Sequence, residues 1–139
     1  MGLKDLIMIT VPAAPKYLCL IRDVTARLGA SGGLEEPVIN TLKLAIDEAC
    51  TNIIKHAYKG DTGKKIRVQY KITEEAFEAV IEDSGKKVTP ELLQGRDLDD
   101  VRPGGLGIHF IKRAFDVVSY DENKKKGNRL RLIKYLKEE

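Results

Sequence analysis

Tryptophan is absent from this 139-residue chain, aromatic residues reach only 6%, and cysteine occurs twice. Few aromatics leave little material for the base-stacking platforms of single-strand nucleic-acid binders. Cys19 and Cys50 stand alone in segments of helical pattern, so neither a metal knuckle nor a disulfide framework is supported, and both read as small buried apolar residues. No stretch approaches the roughly 18–20 continuous apolar residues of a membrane-spanning helix, and the N-terminus lacks the basic and apolar regions of a secretory signal. Leu6 stands where a myristoylation signal requires Ser or Thr, which excludes that anchor. One-sided charge is missing too. Lys and Arg total 24 against 21 for Asp and Glu, and a net charge of +3 spread along the chain gives no nucleic-acid footprint. The expectation is a cytoplasmic protein that touches neither membrane nor nucleic acid.

What is present is a core. Hydrophobic residues make up 42% and charged residues 32%, enough for one folded domain over residues 1–139 and too much apolar content for disorder. Ile7, Ile9 and Val11 alternate with Met8 and Thr10 and predict a first strand ended by Pro12. Leu18, Ile21, Val24 or Thr25, and Leu28 recur at helical spacing after Pro15, with Gly29 as the expected stop. Glu35, Glu36 and Pro37 open a second helix with the apolar stripe Leu42, Ile46, Ala49, Ile53 and Ala57. Two alternating runs follow, Ile66 to Ile72 and Phe77 to Ile81, joined by a short turn into a hairpin. Periodicity then lapses from Asp83 to Gly107, resumes as a helix from Gly107 to Phe115, and ends in strands over Val117 to Tyr120 and Arg129 to Leu136. Helices segregated from hairpin-joined strands predict an α+β fold, a two-layer sandwich of helices on a mostly antiparallel sheet.

Three signals in this order could carry chemistry. Glu48, Asn52 and His56 are spaced by four and form one polar ridge beside the apolar stripe of the second helix. A carboxylate and a carboxamide about 6 Å apart along a helix can address one ligand, a hard cation or a hydroxyl proton. From spacing alone, a solvated helix edge is the commoner meaning. Asp83-Ser84-Gly85 ends a strand where a carboxylate can face a cleft, although Asp-x-Gly is by itself an ordinary turn. Gly104-Gly105-Leu106-Gly107 closes the long loop just before a helix, where side-chain-free backbone can cradle an anion, or simply flex. No Gly-x-x-x-x-Gly-Lys-Ser/Thr run exists, and the glycines do not follow a strand in a βαβ unit, so P-loop and dinucleotide folds are excluded.

The ordered set resembles the GHKL (Bergerat-fold) ATP-binding superfamily of gyrase, Hsp90, MutL and histidine kinases. Within it the chain is most similar to the anti-sigma factor serine kinases of the RsbW type. The run Leu44 to Asn52 with Lys55-His56-Ala57-Tyr58 resembles that family's N-box, Asp83-x-Gly85 followed by Pro90 its first glycine box, and Gly104 to Ile108 its second. Val11-Pro12, Pro15 and Arg22 resemble its N-terminal region, and Gly127 with Leu130 to Leu136 its closing strand. The resemblance implies ATP and Mg²⁺ as cofactors, and an ATP lid at about residues 85–107. It makes Glu48 the group that orients or deprotonates the nucleophile, Asn52 the Mg²⁺ ligand, and Asp83 the acceptor for the adenine amino group. Gly85, Gly104, Gly105, Leu106, Gly107 and Ile108 would then shape the pocket and lid, with Arg102 placed to reach the γ-phosphate. Two positions depart from the pattern. Lys86 and Lys87 follow the first box, and Asn128 stands where Thr is common, which removes a hydroxyl from the adenine side.

The implied activity is phosphorylation of Ser or Thr on an anti-anti-sigma (STAS-domain) protein, alternating with sequestration of a sigma factor, by a homodimer. A second reading is an ATP-sensing binding module of the same fold without useful transfer. A histidine-kinase catalytic domain is a third, weakened because both histidines lie inside the ATP-domain pattern and no separate phosphoacceptor helix is evident.

Overall fold

The computed structural model describes residues 5–87 and 105–136. The alternating runs become five strands: β1 (Leu6–Pro12), β2 (Lys65–Ile72), β3 (Ala76–Asp83), β4 (Val117–Tyr120) and β5 (Asn128–Tyr135). They form one sheet in the order β1-β2-β3-β5-β4, and each neighbouring pair is antiparallel. Three helices cover one face: α1 (Leu18–Ser31), α2 (Glu36–Asn52) and α3 (Gly105–Ala114). This is the expected two-layer α+β sandwich.

The period of two explains which face is covered. Val68 and Tyr70 on β2, Phe77, Ala79 and Ile81 on β3, and Leu130 and Leu132 on β5 are buried against Ile21, Leu42, Ile46 and Ile111 of the helices. Burial of each large aliphatic side chain contributes about 1.5–3 kcal/mol. The opposite face carries cross-strand ion pairs: Arg67 and Arg129 both reach Glu82, and Arg131 reaches Glu78. Among the described residues, no helix is long and apolar enough to cross a membrane.

Gly29 does not stop α1, contrary to its expected role. The helix continues to Ser31, and a side chain at Gly29 would press on Ile39 of α2 at 3.1 Å, so the missing Cβ permits close helix packing. The stop falls at Gly32-Gly33. Arg22 of α1 also reaches Asp47 of α2 at 2.6 Å, one residue before Glu48. On the same helix Thr25 is the buried alternative to Val24, and its hydroxyl meets that of Tyr70 at 2.8 Å.

The regular part of α2 ends at Asn52 and continues as a π-turn over Ile53–Ala57. Tyr58 N–H donates to the Ile53 carbonyl at 2.9 Å, five residues back. The sequence pattern predicts an uninterrupted helix here with Ala57 in its apolar stripe, but the π-turn shifts the phase, so that Tyr58 is buried and Ala57 is only partly so. Such turns are rare and occur frequently at functional sites.

Candidate nucleotide site

Extending the inward alternation of β3 by one step from Ile81 carries Asp83 to the buried face, where only 6% of it is exposed. A carboxylate at the end of an apolar strand requires donors. Gly85 N–H donates to Asp83 Oδ1 at 2.8 Å. Asn128, directly opposite on β5, donates its side-chain amide to Oδ1 at 3.0 Å and approaches Oδ2 at 3.3 Å. Burial pushes the Asp83 carboxyl above its ordinary range, opposed by the Gly85 and Asn128 donors and by nearby Lys124. Burial, followed by the charge on Asp83, pushes the Tyr120 hydroxyl up to about 12.

Two glycines make this arrangement possible. Gly127 adopts φ +76, and a Cβ there would collide with the Asp83 carbonyl oxygen. A Cβ at Gly85 would collide with the Ala57 carbonyl, the acceptor for Lys86 N–H at 2.9 Å. The turn after Asp83 is thereby stitched to the π-turn at the end of α2. Tyr58 adds a further link, accepting from Ser84 N–H at 2.8 Å and donating to the Lys65 carbonyl at 2.6 Å.

These elements enclose a cavity of about 480 Å³, within the usual range for small-molecule sites. Ile53, Ile81, Ile108 and Leu130 supply its apolar walls. Among the described residues, Asp83 is the single carboxylate in the lining, while Lys55, Lys59, Lys86 and Lys87 bring four positive charges. An apolar slot with one buried acceptor and a cationic surround fits a flat, largely apolar group bearing an N–H donor and joined to a polyanion.

Asn52, Asp83 and Ile108 therefore come together around one cavity. Glu48 lies one turn before Asn52 on α2, partly buried and outside the cavity lining. Burial raises its carboxyl above the ordinary range and Asp47 adds to this, while Lys55 and His56 oppose the shift. Gly105, Leu106 and Gly107 form the first turn of α3, which opens two residues earlier than its apolar spacing predicts. Their backbone N–H groups thus belong to a helix start, where donors lack partners within the helix. Arg102, Gly104 and most of the expected lid at 85–107 lie outside the described residues.

Sequence reasoning missed Tyr120, the lysines at 55 and 59, and the contact that Asn128 makes. The Asp83–Asn128 pairing needs the β3–β5 register, and residues 45 positions apart carry no local signal of it. No group of three or more His, Cys, Asp or Glu among the described residues is arranged to hold a metal. Asn52 does offer a hard carboxamide oxygen to the cavity, and Mg²⁺ commonly takes few protein ligands beside waters and phosphates.

A family model described as a histidine kinase-like ATPase domain matches residues 11–134. A serine-protein kinase RsbW from Listeria innocua serovar 6a is 33% identical over 146 aligned positions, covering 98% of this chain and 90% of the relative. The chain belongs to the RsbW family of histidine kinase-like ATPases. The serine-protein kinase RsbW of Bacillus subtilis strain 168 is 29% identical over 140 positions, covering 95% and 86% of the two chains. A crystal structure of the RsbU and RsbW domains of a Mycobacterium tuberculosis protein shares the fold, with a TM-score of 0.64 at 15% identity over 94% of this chain. This RsbW-family chain spans 32% of that longer protein.

Proposed function

We propose that this RsbW-family chain is an ATP-dependent protein-serine/threonine kinase and anti-sigma factor. The observation that carries the reading is the buried Asp83, held by its own donors at the end of an apolar slot with lysines around it. In this reading Asp83 accepts the adenine 6-amino group, the apolar walls sandwich the ring, and the lysines favour the triphosphate.

Asn52 would hold Mg²⁺ by its side-chain oxygen, and the ion would neutralise phosphate charge during transfer. The acceptor serine or threonine oxygen forms the new bond to the γ-phosphorus while the bond to the β–γ bridging oxygen breaks and ADP leaves. Glu48 receives the hydroxyl proton. Burial raises its proton affinity above the ordinary glutamate range, which makes its carboxylate a stronger base. The start of α3 directs backbone N–H groups toward phosphate oxygens.

The acceptor is an anti-anti-sigma (STAS-domain) protein, and the alternating partner is a sigma factor. Phosphate on the antagonist adds negative charge and breaks its fit, freeing the kinase to hold the sigma factor. The active form is a cytoplasmic homodimer acting on protein surfaces, with no direct contact to nucleic acid. Incubation of the protein with γ-labelled ATP, Mg²⁺ and a STAS-domain partner is expected to label a serine or threonine of that partner. Glu48→Ala should abolish the labelling. Transfer at the wild-type rate in that variant would overturn the role of Glu48, and ATP binding without any labelling would leave only a nucleotide-sensing module.

A further inference from the structure

Asn128 occupies a position where the family resemblance predicts loss of a helpful hydroxyl, yet its side chain is buried and engaged. Its amide nitrogen carries two hydrogens and finds acceptors on two sides, the Asp83 carboxylate at 3.0 Å and the Lys86 carbonyl at 2.8 Å. The carboxamide thus spans from the strand end that carries Asp83 to the chain three residues beyond it. We propose that Asn128 is a positioning residue for the nucleotide base, fixing the Asp83 carboxylate so that the site selects a base with an amino group over one with a carbonyl at the same place.

A carboxylate offers about four acceptor sites. Gly85 N–H and the Asn128 side-chain amide direct protein donors onto Asp83, leaving capacity for a donor from the ligand. These donors come from both sides of the turn and hold the carboxylate plane, so its remaining acceptor direction is set before the ligand arrives. Donors aimed at the carboxylate also favour its ionised form, which accepts from an amino group and cannot donate to a base carbonyl. The anchoring of Lys86 matters for the same reason. Lys86 N–H is tied to Ala57 and its carbonyl to Asn128, so the turn that presents Asp83 is clamped between α2 and β5.

The inference deepens the ATP reading and depends on it. Its test measures affinities for ATP and ITP, which differ by amino or carbonyl at the reading position, in the full chain and in Asn128→Val and Asn128→Thr. Valine and threonine have nearly the same shape and both suit a strand, but only threonine retains a donor. The wild-type protein should prefer ATP. Asn128→Val should lose roughly tenfold to a hundredfold in ATP affinity, the usual weight of a bond to a charged group, with a smaller change for ITP. Asn128→Thr should recover part of both affinity and preference. Asn128→Ala repeats the comparison if the valine variant does not fold. Wild-type ATP affinity and preference in the donor-free variant would overturn the role of Asn128 while leaving ATP binding intact. Failure of the wild-type protein to bind either nucleotide would overturn the ATP reading and this inference with it.

Discussion

The hydroxyl of Tyr58 accepts a hydrogen bond from Ser84 N–H at 2.8 Å and donates one to the Lys65 carbonyl at 2.6 Å. One buried side chain at the end of the π-turn therefore locates both the start of β2 and the residue following Asp83. Removing the hydroxyl leaves a backbone donor and a backbone acceptor to find other partners in a partly buried setting. Tyr58→Phe should lose about 1–2 kcal/mol of stability, measured by urea unfolding. It should also weaken ATP binding, because Ser84 is the neighbour of the base-reading carboxylate. Unchanged stability and affinity together would show that the Tyr58 ring, not its hydroxyl, holds the turn.

Gly127 and Gly60 both adopt positive φ, at +76 and +84, but their surroundings differ. A Cβ at Gly127 would strike the Asp83 carbonyl, whereas one at Gly60 would meet nothing within 4 Å. Gly60→Ala should therefore cost only the left-handed backbone penalty, about 1–2 kcal/mol. Gly127→Ala adds a backbone collision beside the site and should cost at least about 2 kcal/mol more than that control, with loss of ATP binding. Thermal melts of the two variants, side by side, separate conformational strain from collision.

Much of this architecture is legible along the chain because it follows local periods. The alternation of Phe77, Ala79 and Ile81 places β3, and the same parity, continued, takes Asp83 inside. The stripe on α2 likewise identifies its buried face. Two kinds of feature escape such reasoning. Gly29 looks like a helix stop because its use depends on Ile39 of another helix, and proximity between helices has no signature in a local window. The π-turn at Ile53–Ala57 inserts one residue into the hydrogen-bond pattern and moves the buried position from Ala57 to Tyr58, a shift that the local apolar spacing does not announce. Asn128 reads as a departure from a family pattern until strand register sets it opposite Asp83.

Glu48 is expected to separate binding from transfer. It stands on α2 outside the cavity lining, one turn from Asn52, so it has no part in holding the base. Glu48→Gln keeps its shape and removes its ability to take a proton. Phosphoryl transfer should fall by about 10²–10⁴-fold, the usual contribution of a general base, while ATP affinity stays at the wild-type value. Single-turnover transfer and equilibrium nucleotide binding measure the two quantities separately. The acid limb of the wild-type transfer profile should lie above the ordinary glutamate value of 4.5, since burial raises this carboxyl, and it should vanish from the residual activity of the variant.

Asp83 should affect stability and binding with opposite signs as pH changes. Its carboxyl is raised by burial above the ordinary 3.8, so the folded protein binds this proton more tightly than the unfolded chain does. Linkage then makes its contribution to stability greatest below the unfolded value and progressively lost as pH rises through the folded one. At neutral pH ionisation of this carboxyl is a cost relative to its neutral form, and Asp83→Asn, which cannot ionise, should show a flatter dependence of unfolding free energy on pH. Nucleotide binding runs the other way. An amino group needs the ionised carboxylate as its acceptor, so ATP affinity should fall as pH drops through the raised value and should be reduced at every pH in Asp83→Asn. Calorimetric titration with ATP from neutral pH down to roughly pH 4, paired with melts of both proteins over the same range, tests the two signs together. ATP affinity that did not fall as pH dropped through the raised value would place the selection of adenine elsewhere in the cavity.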